Sequence, residues 1–255
     1  MIDVSGTSCA VIGGTHGMGR AVVDALLDGG AEVIVTGRSA DNVAAVRAEL
    51  ADRKGAHVLQ ADVTNDADTA RLGELVADTV GALDFLHVNV GIAEVAPFEE
   101  VSAESYDAMF AVNAKGAFFS AQRLSPLMRS GGAIVFTTSV TNQAPSPTMS
   151  VYAGTKAAVR AFAEVMASEL LPRGIRVNTV SPGFIETPTM GFASASSEER
   201  AALMEMGDNL TPMRRHGTVR EIADAVLFLG FVATFTTGVE LPVNGGLGHV
   251  AAAGA

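Results

Sequence analysis

The sequence predicts a single α/β domain in which a doubly wound parallel sheet of about seven strands has helices on both faces. Short apolar segments alternate with longer amphipathic ones, which is typical of strands joined by crossover helices. The 255 residues suit one domain with a large core, and 48% of them are apolar. No proline-rich or glycine/serine-rich linker divides the sequence, so residues 1–255 are expected to form one unit.

The predicted elements follow from the spacing of apolar residues. Apolar runs predict strands at residues 7–12, 32–36, 57–60, 85–89, 133–138, 176–181 and 238–243. Helical spacing predicts helices at residues 17–27, 40–51, 64–80, 105–127, 151–171 and 221–231. Gly29 and Gly30 are expected to end the first helix, and Ser39 is the expected N-cap of the second.

The composition argues against several functional classes. A net charge of −11 argues against a nucleic-acid partner, which would need a basic surface. The longest nearly uncharged apolar stretch, residues 225–239, is too short to span a bilayer. The first residues lack the regions of a signal peptide, so we expect a cytoplasmic protein without a membrane partner. The histidines show no metal-ligand spacing, and Cys9 is expected in the core, so no metal site is predicted.

A glycine-rich segment joins the first strand to the first helix. Gly13, Gly17 and Gly19 permit a tight turn and let the backbone approach a pyrophosphate. The N-terminus of the helix would offer free N–H groups and its positive dipole end to that anion. Glycines occur in many turns of this kind, but the position after the first strand predicts a Rossmann-type dinucleotide site.

The end of the second strand indicates which dinucleotide binds. Residues 36–38 read Thr-Gly-Arg, without the carboxylate that usually binds a ribose 2′-hydroxyl. Arg38 suits a 2′-phosphate, so we expect NADP(H) to be preferred over NAD(H); the alternative is a solvated cation. His16 and Arg20 are expected to add positive charge nearby. Asp62 is placed to contact adenine or to serve as a turn residue.

Three side chains form a candidate acid–base group. Tyr152 and Lys156 are one helical turn apart, and Ser139 lies at the carboxyl end of a predicted strand. An ammonium about 4 Å from the phenol would supply roughly 4 kcal/mol at an effective dielectric near 20. We therefore expect the Tyr152 pKa to fall by about 3 units, towards neutrality. The alternative is an ordinary tyrosine–lysine pair on a helix surface.

Six segments occur in an order that is known from one family. They are Gly13-x-x-x-Gly17-x-Gly19, Asn89-Val90-Gly91, Val112-Asn113-Ala114-Lys115-Gly116, Thr138-Ser139, Tyr152-Ala153-Gly154-Thr155-Lys156, and Ser181-Pro182-Gly183 followed by Thr187. Over essentially its whole length the sequence resembles the short-chain dehydrogenase/reductase family, in its 3-oxoacyl-acyl-carrier-protein reductase-like branch.

The resemblance implies a role for each catalytic candidate. Tyr152 would exchange the proton, Lys156 would hold the nicotinamide ribose, Ser139 would bind the carbonyl oxygen and Asn113 would hold a relay water. Besides Tyr152 and Lys156, the predicted cofactor-binding residues are Gly13, Thr15, His16, Gly17, Met18, Gly19, Arg38, Asp62, Val63, Asn89, Gly91, Pro182, Gly183, Ile185 and Thr187.

The sequence departs from the family pattern where the first and fourth strands meet. Ile12 replaces a usual threonine, and Val88 and Val90 flank Asn89 in place of asparagine and alanine. We expect apolar contacts there to replace the hydrogen bonds of the family.

The connection at about residues 184–217 is expected to form a substrate loop or lid. Ala202, Leu203, Met206 and Leu210 form an apolar stripe at helical spacing, which either meets an apolar substrate or packs on the domain. The predicted substrate-pocket residues are Gln143, Met149 and Phe184. The Arg214–Arg215 pair would meet a phosphorylated carrier or, as we favour, support a neighbouring helix.

The helix at residues 151–171 is apolar on nearly all sides, which indicates burial on all sides. A partner subunit would supply that cover, so we expect a homo-oligomer, either a tetramer or a dimer. The alternative is cover from neighbouring segments of the same chain.

These observations favour an NADPH-dependent carbonyl reductase for a medium-sized, mainly apolar ketone or a 3-oxoacyl or polyketide-type substrate. One alternative is an NADP-linked secondary-alcohol or steroid-type dehydrogenase that works in the oxidative direction. An alternative of another class is a non-catalytic dinucleotide-binding sensor or scaffold.

Overall fold

The computed structural model describes residues 2–187 and 196–250, and part of the predicted lid segment lies outside these ranges. Seven parallel strands form the central sheet. Their bounds are β1 Ser8–Ile12, β2 Glu32–Gly37, β3 Ala56–Gln60, β4 Leu83–Val88, β5 Met128–Thr137, β6 Arg176–Pro182 and β9 Glu240–Val243. The strands lie side by side in the order β3-β2-β1-β4-β5-β6-β9. A separate parallel pair consists of β7 Ile185–Glu186 and β8 Gly217–Thr218.

Helices pack on both faces of this sheet, as predicted. Their bounds are α1 Gly17–Asp28, α2 Ala40–Glu49, α3 Asp66–Thr79, α4 Ala103–Met109, α5 Ala117–Leu124, α6 Ser150–Leu170, α7 Ser197–Leu210 and α8 Val219–Leu227. One core cluster joins the strands to α1 and α8, and the other joins them to α3, α5 and α6. Within β1, Cys9 and Val11 belong to the first cluster whereas Ala10 and Ile12 belong to the second, which is the alternation that a strand imposes.

The strand order places a crevice between β1 and β4. β1 pairs with β2 on one side and with β4 on the other, so the connections after β1 and β4 diverge. Ile12 lies opposite Val88, and the Asn89 N–H donates to the Ile12 carbonyl at 2.8 Å. Both apolar side chains are buried, so the expected apolar brace is present.

The region predicted as one helix at residues 105–127 contains an interruption. Between α4 and α5 the chain forms a wider π-helical turn, Phe110–Gly116, that carries Asn113. Such turns are rare and often mark functional sites. The predicted helix at residues 221–231 likewise ends as a π-helical turn, Phe228–Val232, after α8.

The predicted lid contains α7, and the apolar stripe on this helix is largely uncovered. Met206 and Leu210 are 45% and 54% exposed, so these two side chains pack little on the described part of the domain, whereas Leu203 is half-buried. The helix contacts the domain through Gly207, where an added Cβ would lie 2.4 Å from the His216 ring. Across the described ranges, none of the helices is long and apolar enough to cross a membrane.

Candidate active site

The glycine loop after β1 approaches the segment after β4 so closely that side chains would not fit. Gly13 has a φ of +83°, and a Cβ there would lie 2.8 Å from the Asn89 carbonyl oxygen. A Cβ on Gly19 would lie 2.1 Å from the Gly13 carbonyl oxygen. These positions therefore require glycine, as the sequence predicted.

The N-terminus of α1 fits an anion. His16 is the N-cap in an extended conformation, and its side chain makes no capping hydrogen bond within the described ranges. The first N–H groups of the helix therefore keep their capacity to bind an anion. Thr187 lies over this end, because a Cβ on Gly17 would be 3.6 Å from its methyl group. The loop and the uncapped helix together fit the pyrophosphate of a dinucleotide.

Arg38 follows β2 beside the same loop. The preceding Gly37 packs against Thr15, whose methyl carbon would lie 2.4 Å from a Cβ at that position. The Arg38 guanidinium is exposed and makes no hydrogen bond or ion pair with any residue in the described part of the chain. Arg20 differs, because its guanidinium binds the carboxylates of Asp24 at 3.1 Å and Glu49 at 2.6 Å. The prediction that Arg20 adds free positive charge was therefore wrong.

Two further cofactor candidates have structural contacts of their own. The Asp62 carboxylate accepts hydrogen bonds from the Thr64 N–H at 2.9 Å and the Thr64 hydroxyl at 2.7 Å. This is the turn role that the sequence left open for Asp62. The Val63 side chain packs against Gly116, where a Cβ would be 2.6 Å from it. Its contact with a cofactor stays a prediction.

The acid–base candidates come together at the carboxyl ends of the strands. Ser139 follows β5 and caps a short helical turn, Val140–Asn142, in which its hydroxyl oxygen accepts the Thr141 N–H at 3.3 Å. The Ser139 side chain lies close enough to the Tyr152 phenol to lower its pKa. Lys156 lies one turn further along α6 and is buried.

Lys156 binds the backbone rather than the phenol. Its ammonium donates to the carbonyl oxygens of Thr137 at 3.0 Å and Val90 at 3.2 Å. The nitrogen lies 5.8 Å from the centroid of the Tyr152 ring. Burial lowers the pKa of Lys156 to about 8. These bonds tie α6 to the ends of β4 and β5.

The electrostatics of Tyr152 differ from the expectation. Burial raises the pKa of the Tyr152 phenol above its ordinary value, and the Ser139 side chain offsets only part of that rise. The expected decrease assumed an ammonium about 4 Å away with little cost of desolvation. In the structure Lys156 is directed to two carbonyl groups, so desolvation of the phenolate dominates.

Asn113, on the π-helical turn, connects the segment after β4 to α6. Its carboxamide oxygen accepts the Ile92 N–H at 2.8 Å, and its nitrogen donates to the Ile92 carbonyl at 2.9 Å. The same nitrogen donates to the Thr155 hydroxyl at 3.1 Å, which in turn donates to the Tyr152 carbonyl at 2.7 Å. Asn113 is fully buried and holds the first turn of α6. Its role in a water relay stays a prediction.

His87, which is buried in β4, contributes a chain of hydrogen bonds to the site. His87 Nε2 is 3.0 Å from the Thr137 hydroxyl, which donates to Asn89 Oδ1 at 2.9 Å. Asn89 Nδ2 then donates to the Gly13 carbonyl at 3.3 Å. Burial lowers the pKa of His87 to about 3, so the neutral ring donates through Nε2. A histidine within the apolar run Phe85–Val88 was the available signal for this chain of hydrogen bonds.

The predicted substrate residues lie at the mouth of this region but have differing contacts. Gln143 is exposed, and its amide donates to Glu240. The Phe184 ring packs against the His216 ring at a centroid distance of 5.6 Å. Met149 is half-buried directly before α6. Their contact with a substrate stays a prediction.

The two arginines after α7 have structural roles. Arg215 binds the Glu221 carboxylate through both terminal nitrogens, at 3.0 and 2.6 Å. Arg214 donates to the Asn209 carbonyl at 2.8 Å. The favoured structural interpretation is therefore confirmed. The described part of the chain contains no group of three or more His, Cys, Asp or Glu residues that could hold a metal ion.

Comparisons with known proteins agree with this arrangement. A family profile described as enoyl-(acyl carrier protein) reductase matches residues 13–248. An uncharacterized oxidoreductase of Methylorubrum extorquens is 38% identical, with 97% of this chain and 100% of the relative covered. A 3-oxoacyl-[acyl-carrier-protein] reductase of Aquifex aeolicus is 32% identical, with 96% of this chain and 99% of the relative covered.

A solved structure shows the same fold. The short-chain dehydrogenase/reductase of Serratia marcescens superimposes with a TM-score of 0.87 at 30% identity, covering 97% of this chain and 100% of that chain. The parallel sheet, the glycine loop and the tyrosine–lysine pair thus occur together with whole-length sequence similarity. The chain belongs to the short-chain dehydrogenase/reductase family of oxidoreductases, whose members use a nicotinamide cofactor.

Proposed function

We propose that this enzyme is an NADPH-dependent carbonyl reductase for medium-sized, mainly apolar ketones or 3-oxoacyl-type substrates. The observation that carries the proposal is that Ser139 and Tyr152 come together at the carboxyl ends of the strands, the edge of the sheet at which the uncapped N-terminus of α1 also lies. Open α/β sheets bind ligands at this edge. A ketone placed there would meet two hydroxyl groups.

The proposed mechanism divides the reaction between the cofactor and the chain. When bound, NADPH supplies the hydride for the carbonyl carbon. Ser139 binds the carbonyl oxygen, and Tyr152 donates the proton that this oxygen needs as negative charge develops on it. Lys156 keeps a positive charge near the phenol and holds α6 against the ends of β4 and β5.

The raised pKa of Tyr152 supports the reductive direction at neutral pH. Reduction needs the protonated phenol, and burial keeps the phenol protonated. Even with a raised pKa, a phenol remains a stronger acid than an aliphatic alcohol, so proton transfer to an alkoxide is favourable. Alcohol oxidation would need the phenolate, which burial disfavours.

The preference for NADPH rests on Arg38. Its guanidinium is exposed, lies beside the glycine loop and has no partner in the described part of the chain, so it can bind a 2′-phosphate through paired donors. The apolar substrate class rests on Met206, Leu210 and Met213, which are 45%, 54% and 65% exposed. Methionine side chains adapt to varied apolar shapes.

An Arg38→Asp variant tests the cofactor assignment. We expect KM for NADPH to rise about tenfold or more, because a carboxylate would replace a charge-assisted bond to phosphate, whereas KM for NADH should change little. Lys54→Asp is the matched control, since it makes the same change of charge at an exposed site before β3. An equal rise in KM for NADPH and for NADH in the Arg38→Asp variant would contradict the role of Arg38 in binding the 2′-phosphate.

A panel of ketones and 3-oxoacyl thioesters, followed by the loss of reduced-cofactor absorbance, tests the substrate class. We expect turnover to increase with the apolar area beside the carbonyl group. Activity confined to small polar sugars would contradict the proposed class.

A further inference from the structure

Glu240 carries a buried carboxylate that the proposed mechanism does not use. It is the first residue of β9, at the edge of the sheet, and its side chain is only 3% exposed. A buried carboxylate is costly unless hydrogen bonds and an opposite charge compensate it. The residues that bind the Glu240 carboxylate therefore indicate its structural role.

The carboxylate binds residues on both sides of Ser139. Its Oε1 accepts the Thr138 hydroxyl at 2.5 Å and the Asn142 amide at 2.8 Å. Its Oε2 accepts the amide of Gln143. One carboxylate thus holds the residue directly before Ser139 and two residues of the turn that follows it.

Few other side-chain bonds hold this turn. In the described ranges, the Thr141 hydroxyl and the Asn142 carboxamide oxygen are buried without a hydrogen-bond partner. The Ser139 oxygen accepts only a long bond of 3.3 Å from the Thr141 N–H within the turn. Backbone bonds also hold the turn, from the Asn142 N–H to the Ser139 carbonyl at 3.1 Å and from the Ala144 N–H to the Val140 carbonyl at 2.8 Å. Among the side chains of the described ranges, Glu240 makes the largest contribution to the orientation of this turn.

Glu240 also reaches the helix that carries Tyr152. Arg160 lies one turn after Lys156 on α6, and its Nη1 is 3.6 Å from Glu240 Oε2. The same guanidinium binds the Glu164 carboxylate at 3.0 Å. The carboxylate of β9 is thus shared between the segment of Ser139 and the helix of Tyr152.

We propose that Glu240 is a positioning residue that fixes the Ser139 hydroxyl against the Tyr152 phenol. The proposal deepens, and rests on, the proposed carbonyl reductase function. A hydrophobic residue in its place would serve packing at least as well, because buried ion pairs often add little stability. The role of the Glu240 carboxylate is therefore to hold the Ser139 segment and α6 in their relative orientation.

A spectroscopic titration tests the proposal without requiring turnover. The chain has two tyrosines and no tryptophan, so in a Tyr106→Phe background the phenolate absorbance reports Tyr152 alone. In Glu240→Ala the Ser139 hydroxyl would be less well placed to stabilise the phenolate, so the titration midpoint should rise by at least about half a unit. Glu240→Gln should return the midpoint most of the way to the value in the Tyr106→Phe background. Lys156, whose nitrogen lies 5.8 Å from the centroid of the Tyr152 ring, is the same in every variant.

Two controls make the test specific. Glu164→Gln removes the other partner of Arg160 without touching the Ser139 turn, so it should leave the midpoint unchanged. In a Ser139→Ala background, Glu240→Ala should cause no further shift, because Glu240 acts through Ser139. An unchanged midpoint in Glu240→Ala, or an equal shift in both backgrounds, would overturn the proposal.

Kinetics separate this proposal from the proposed function. Glu240→Ala should lower kcat for ketone reduction by about a hundredfold while KM for NADPH stays within about twofold, because only the orientation at the carbonyl changes. A parallel loss of cofactor binding would indicate a general structural role and overturn the proposal. A wild-type enzyme that reduces no ketone of the panel would contradict the proposed function, and the titration would still decide the role of Glu240.

Discussion

Burial shifts the pKa values of Tyr152 and Lys156 in opposite directions. It raises the pKa of the phenol and lowers that of the ammonium to about 8. The cause is the same in both, because desolvation disfavours whichever form is charged. At neutral pH the pair therefore consists of a phenol and an ammonium, which suits proton donation.

This pair predicts the pH dependence of ketone reduction. Lys156 is charged below its pKa, so kcat/KM should be nearly constant around neutrality and fall above about pH 8 as the charge is lost. The rate should be measured across this range at saturating NADPH. In Lys156→Arg the guanidinium stays charged, so any remaining activity should lack this decrease. A wild-type profile that stays flat well above pH 8 would contradict the assignment.

The sequence predicted which residues of the site meet, but it did not predict how burial shifts the pKa values of Tyr152 and Lys156. The spacing of Tyr152 and Lys156 and the strand-end position of Ser139 were sufficient to place the group. The carbonyl groups that hold Lys156 come from distant segments, at Val90 and Thr137. The burial that controls both pKa values likewise arises only after the chain packs.

At the scale of elements, the π-helical turn Phe110–Gly116 is the main structure that the sequence did not predict. Apolar residues keep nearly the same helical spacing on both sides of the wide turn, so the sequence pattern predicted one helix at residues 105–127. The wide turn accompanies the bonds of Asn113 to the Ile92 backbone, which is remote in sequence. The helix propensity of the residues around Asn113 gives no information about its contact with the Ile92 backbone.

Asn113→Ala should destabilise the fold as well as the site. Its loss would leave the partly buried Ile92 N–H and carbonyl without these partners, at a cost of about 1–3 kcal/mol in the free energy of unfolding. Urea denaturation would measure this. Lys115→Ala, at an exposed position of the same turn, should change stability by less than about 0.5 kcal/mol. Equal effects of the two substitutions would contradict this role of Asn113.

At the scale of the whole molecule, the seven-stranded parallel sheet with helices on both faces agrees with the prediction, because strands joined by crossover helices form parallel sheets. The pair of β7 and β8 was not predicted, since two-residue strands leave no periodic signal. Arg20 was assigned wrongly because its partner Glu49 comes from another helix. The spacing of residues along the sequence does not show which side chains of different helices and strands come into contact.

The face formed by α5 and α6 remains partly uncovered in a single chain. Phe119 is 40% exposed and Val165 is 57% exposed, beside the edge-to-face pair of Phe118 and Phe162 at 5.2 Å. Exposed apolar surface of this kind marks a contact with another protein. We propose that a second copy of the chain covers it.

Val165→Glu tests this assembly, because a charge buried at the contact would be unpaired. We expect light scattering to show a dimer or tetramer for the wild type and a shift towards monomer for the variant. Ala48→Glu, at an exposed position of α2, adds the same charge elsewhere and should leave the assembly intact. A wild type that is monomeric at micromolar concentration would contradict the proposal.

The central claim is that the Tyr152 hydroxyl delivers the proton to the substrate oxygen. The most direct measurement compares ketone turnover in the wild type and in Tyr152→Phe, with cofactor binding followed by NADPH fluorescence. We predict that turnover falls by about 10²–10⁴-fold while NADPH still binds, since general acid catalysis contributes that much. Turnover that is undiminished in a variant lacking only this hydroxyl would contradict the claim.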